Sequence, residues 1–170
     1  HQISGGTDLD KPWADLYVEL TDVLEAWRKN PLARRIVSLT TDYVVADGIT
    51  LSSEYQPLQK FTTAFWNHPQ NHMNTRLPDL CDELTRSGEL FPVLNVNQAD
   101  GTSYVRFVPA SQINEIKWKP GDYEAETSYH QLTNKLEGKW WTSAQAANQK
   151  TREIMLHYAI NKPVGCVRGE

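Results

Sequence analysis

The chain has 170 residues, 39% of them hydrophobic, with six Trp, seven Tyr and a formal net charge of −4. That length suits one medium domain or two small ones, and the aromatic load excludes a disordered chain, which lacks the apolar side chains that offset ordering entropy. A pI near 5.7 and no basic stripe exclude a free nucleic-acid binder held by its phosphate contacts.

The elements follow in chain order. Residues 1–10 read as a flexible N-terminal segment, and 11–170 as a single α+β domain, helical over about 11–87 and strand-rich over about 88–170. Asp10 caps a first helix whose apolar positions Leu16, Leu20, Val23, Leu24 and Trp27 recur at helical spacing. Asn30-Pro31 breaks it, and a second helix over Pro31 to Val45 carries Leu32, Ile36, Leu39 and Tyr43 until Asp47-Gly48 stops it. Ile49-Thr50-Leu51 reads as a short extended piece. Gln56 to Asn67 predicts a third helix, stopped by Pro69, and His72 to Ser87 a fourth, with Pro78 inside and Gly88 at its end.

The periodicity then changes to that of strands. Leu90 to Val96 and Tyr104 to Val108 flank Asp100-Gly101, a strong hairpin-turn pair. Pro109 to Gln112 reads as a turn, Ile113 to Trp118 as a third strand, and Glu126 to Leu132 and Glu153 to Ile160 as two more, with Trp140-Trp141 on a short strand between them. Helices first and antiparallel strands second is an α+β pattern rather than an alternating one.

Catalytic signatures are sparse. There is no nucleophile elbow, phosphate-binding Gly loop, dinucleotide fingerprint, Cys-x-x-Cys pair or His-Glu-x-x-His helix. His68 and His72 have metal-ligand spacing only if one helix carries both, and Pro69 stands between them. Asp79, Asp82 and Glu83 form a carboxylate group suited to a helix surface. His157 alternates out of phase with Ile154, Leu156, Tyr158 and Ile160, so a surface or interface position is expected. Arg34-Arg35, after Arg28-Lys29, reads as a solvated helix face, and Cys81 as a small buried hydrophobe. The sparse cysteines Cys81 and Cys166 suggest a reducing compartment, and the lack of a leader or long apolar run a soluble protein. Adjacent Trp140 and Trp141 must face opposite sides of a strand, so one is expected either as a subunit contact or as a second core contact. The opening His1-Gln2 and the closing Arg168-Gly169-Glu170 read as the ends of a fragment.

Four places, taken in order, resemble the N-terminal, wing-forming part of bacteriophage and prophage portal proteins. They are the helix Leu32 to Val45 with Asp47-Gly48-Ile49; the helix Leu77 to Ser87 running into Gly88-Glu89-Leu90-Phe91; the segment Val105 to Ile113 with its proline turn; and His157-Tyr158 with Asn161 and Val167-Arg168-Gly169-Glu170. The resemblance spans Pro31 to the end and omits the family's stem, clip and crown. It implies a ring homo-oligomer, typically a dodecamer, at the portal vertex of a virion assembled in the host bacterial cytoplasm. The ring would pass double-stranded DNA without reading its sequence, and would meet terminase, scaffold and capsid proteins and head–tail connector proteins. It implies no cofactor and no catalysis, since the terminase hydrolyses ATP. The alternatives are a small metal- or carboxylate-dependent hydrolase or nuclease using His68, His72 or the Asp79–Glu83 group, and a generic α+β binding module.

Overall fold

The computed structural model describes residues 13–133, 138–148 and 150–160. The expected flexible segment 1–10, the Asp10 cap, Cys166 and the Arg-Gly motif near the end lie outside them. The fold is α+β, with four helices followed by a mostly antiparallel sheet.

Local chemistry sets the helix ends. Helix α1 covers Trp13–Lys29. Helix α2, Pro31–Val45, starts where the Asn30 side chain accepts from the Leu32 N–H at 2.9 Å, with Pro31 in the first turn where its missing N–H costs nothing. Helix α3 covers Gln56–Asn67. Helix α4, Met73–Ser87, runs through Pro78 and stops at Gly88, whose φ of 75° is the left-handed conformation that glycine adopts freely. The stretch Ile49–Leu51 forms no strand.

Strands β1, Glu89–Val96, and β2, Ser103–Val108, form the expected hairpin around Gly101 at φ 69°. A 3-10 turn at Ala110–Gln112 leads into β3, Ile113–Lys119. Then come β4, Asp122–Gln131, β5, Lys139–Ser143, β6, Glu153–Met155, and β7, Tyr158–Ala159. The sheet order is β2-β1-β6-β5-β4-β3, with β7 also on β1. All pairs are antiparallel except β5–β6. The core gathers Phe91, Val93, Ile113, Tyr129 and Met155, each no more than 1% exposed, with Leu20 of α1 packed against it. Burying each large apolar side chain contributes about 1.5–3 kcal/mol.

One predicted strand is divided. Residues 153–160 form β6 and β7, both on β1, with Leu156 and His157 between them. The two pairings share one register, which sets Pro92 opposite Leu156 and Phe91 opposite His157. Leu156 donates its N–H to the Pro92 carbonyl at 2.9 Å. Proline has no N–H to return, so the ladder is interrupted there.

Candidate functional site

The chain's chemistry divides into a buried polar network, a capped sheet edge, an aromatic pair and an apolar helix face. The network reverses the expectation for His157. Its side chain is 3% exposed, because the inward phase of this stretch is Met155 and His157, while Tyr158 and Ile160 are exposed. The alternation was correct in period and wrong in phase. The imidazole stacks on Phe91, ring centroids 4.5 Å apart and nearly parallel. Its Nδ1 lies 2.8 Å from Glu126 Oε1, and its Nε2 lies 3.6 Å from Glu89 Oε1, an ion-pair distance rather than a hydrogen bond. The Tyr129 hydroxyl donates to Glu126 Oε2 at 2.6 Å.

The charges explain the protonation. Burial by itself pushes the His157 pKa down; the Glu126 hydrogen bond and the Glu89 carboxylate outweigh it and hold the pKa above the ordinary 6.5. Burial, joined by the Glu126 hydrogen bond, pushes the Tyr129 phenol well up. A phenol donor and an imidazole that favours its protonated form thus share one buried carboxylate.

The sheet edge is closed by a residue that pattern reading passed over. Asn71, in the loop between α3 and α4, is fully buried. Its Nδ2 donates to the Phe65 and Ser103 carbonyls at 2.9 and 3.2 Å, and its Oδ1 accepts from the Val105 N–H at 3.1 Å. Arg76 donates to the Val105 carbonyl at 3.1 Å. Side chains therefore occupy backbone groups along the outer edge of β2, which blunts an edge otherwise open to further strands. Nothing in the local sequence marks Asn71, which precedes the αL residue His72 at φ 48°, as buried.

His68 and His72 lie on no common helix, as expected from Pro69 between them. His68 caps the end of α3 and sets its ring against Tyr104, centroids 5.1 Å apart, while His72 precedes α4. Asp82 accepts from the Thr41 hydroxyl and ties α4 to α2, and Glu83 pairs with Arg86, while Asp79 and Glu83 both line one groove with Arg76 and Arg106. Cys81 is half-buried rather than buried. Arg35 is solvated and paired with Asp42, whereas Arg34 lies 5.3 Å from the Trp27 ring, which Arg86 also approaches at 4.8 Å. No helix among the described residues is long and apolar enough to cross a membrane.

Trp140 and Trp141 face opposite ways. Trp141, opposite Tyr129, packs against the core and donates from its indole to Gln131 Oε1 at 2.8 Å. Trp140, opposite His130, lies on the outer face, 41% exposed, with its ring 4.7 Å from His130 and the Lys117 ammonium 3.9 Å above it. Trp141→Ala is expected to cost about 2–4 kcal/mol in denaturant unfolding, as truncations of large packed side chains do, and Trp140→Ala under about 1 kcal/mol. Equal losses from the two would show that both rings serve the core.

The apolar face belongs to α2. Leu32, Ile36, Leu39 and Tyr43, the stripe that the sequence marks, are all exposed, while Val37, Thr41 and Val45 face inward. The helix is apolar on two sides, and its own fold covers one. No known protein family model matches this chain, and no curated protein matches it either.

Proposed function

We propose that the chain is a structural, assembly-forming unit rather than a catalyst, and that its assembly is a portal-type ring. The observation that carries the assembly reading is the α2 stripe, four large apolar residues at 40–84% exposure on an ordered helix. Contiguous apolar surface of this kind marks contact sites. The non-catalytic reading is supported by how the candidate acids and bases are engaged: His68 and His72 flank a break, Asp82 is taken by Thr41 of α2, and Asp79 and Glu83 share a groove with Arg76 and Arg106 in which Glu83 is paired with Arg86.

The portal reading rests on the four ordered resemblances between Leu32 and Glu170. On this reading the full-length protein is a ring, a dodecamer in the family's usual form, at the capsid portal vertex. It is assembled in the bacterial cytoplasm with terminase, scaffold, capsid and connector proteins as neighbours. Double-stranded DNA passes through it, and the net charge of −4 suits a channel that must not grip phosphates. Negative-stain electron microscopy of the protein expressed from its full natural gene tests this. Closed rings with a central channel are expected; single small particles would overturn the ring.

A further inference from the structure

The exposed stripe on α2 has the spacing of a coiled-coil seam: Leu32, Ile36, Leu39 and Tyr43 follow one another at intervals of four, three and four residues. Ala33 and Thr40 flank it on one side, and Arg35 and Asp42 on the other. Arg35 and Asp42 pair along the helix at 3.1 Å, both side chains more than half exposed. They are thus free to exchange partners at little cost.

This pattern is complementary to itself in one orientation. Two copies of α2 laid antiparallel about an axis between Ile36 and Leu39 set Ile36 against Leu39 of the other copy, and Leu32 against Tyr43. In that register each Arg35 faces the other copy's Asp42, and the small residues Ala33 and Thr40 face each other. A parallel pairing places each Arg35 beside the uncharged Thr40 instead and loses this match.

We propose that the α2 stripe is the contact surface for a second copy of this chain, docked with its α2 antiparallel. Such a contact is the same patch on both partners and closes at two copies. It rests on the same stripe as the assembly reading and deepens it, whereas the ring rests on the four resemblances and must close through another surface, so the dimer and the ring fail separately. A single helix pair buries less than about 1,200 Å² in total, so the dimer is weak and is sought at up to about 100 micromolar chain.

The test is sedimentation equilibrium of the 170-residue chain and three variants, with far-UV circular dichroism as the folding control. The unaltered chain is expected to dimerise. Ile36→Glu, on an exposed position, is expected to abolish the dimer without loss of helix signal. Arg35→Asp sets like charges opposite each other twice per dimer and is expected to weaken it about tenfold. Arg35→Asp with Asp42→Arg restores the opposition and is expected to recover most of the loss. A chain that stays monomeric, leaving the stripe to another segment or another protein, overturns the proposal. So does a dimer indifferent to Ile36→Glu, or a double exchange no tighter than the single one. Rings that persist in Ile36→Glu would leave the ring reading standing and show that its contact lies elsewhere.

Discussion

Asn71→Leu is expected to lower the unfolding free energy by about 3–5 kcal/mol, a large share of the 5–15 kcal/mol typical of a domain. The side chain is 0% exposed and makes three hydrogen bonds to backbone groups. Leucine has a similar volume and no polar atoms, so the Val105 N–H and the Ser103 carbonyl lose this partner. Each buried group left unpaired costs about 1–3 kcal/mol. The Phe65 carbonyl still accepts from the His68 N–H at 3.4 Å, which limits the loss there. The local signature is faster hydrogen exchange at the Val105 amide than at core amides of β1. An unchanged denaturation midpoint would show that water replaces the side chain freely and that the β2 edge does not depend on it.

The second large effect is expected at His157, and it depends on pH. The groups facing the imidazole are Glu89 of β1 and Glu126 of β4, with the Tyr129 phenol behind Glu126 and the Phe91 ring against its face. Its folded pKa lies above the ordinary 6.5. A raised folded pKa means that the fold prefers the protonated form. The resulting stability is complete below pH 6.5 and is lost as pH rises through the folded value. Unfolding of the unaltered chain is therefore expected to become easier on going from pH 6 to mildly alkaline pH. His157→Phe keeps the ring stacking and removes the imidazole that the buried Glu126 carboxylate, 4% exposed, faces at 2.8 Å. The expected cost at neutral pH is about 3–5 kcal/mol, the usual result of breaking a buried pair from one side. His157→Phe with Glu126→Gln is expected to recover much of it, because the more deeply buried of the two facing carboxylates is then neutral. A double variant no more stable than the single one would show that the network acts through packing and not through charge.

Much of the architecture was legible from local chemistry. The bounds of α2 and α3 coincide with those expected, and α4 begins one residue later than expected. Asn30 and Pro31 start α2, and Gly88 ends α4, by interactions within a few residues of themselves. Asp100-Gly101 likewise placed the hairpin, and the opposite facing of Trp140 and Trp141 follows from strand geometry alone. The division of the last strand was visible only in part: Pro92 was in plain sight, but which strand would meet its missing N–H depended on pairing across some sixty residues.

Where a residue is apolar on both faces of its element, periodicity reports the repeat and leaves the inward side open. The β6 region carries Ile154 toward Phe61 and Phe65 of α3 on one side and Met155 and His157 toward the core on the other. The apolar phase was therefore the wrong guide to His157. Helix α2 misleads in the same way, since Leu32, Ile36, Leu39 and Tyr43 form the stronger stripe in sequence while Val37 and Val45 are buried. Asn71 carried no pattern at all, because its role depends on backbone groups that only the folded sheet edge presents. The sequence alone determined the element types, most of their ends and the order of helices before strands, all set by interactions over a few residues. Only the tertiary structure decided which face of each element became core, because that choice is made by the surfaces that distant segments bring to meet it.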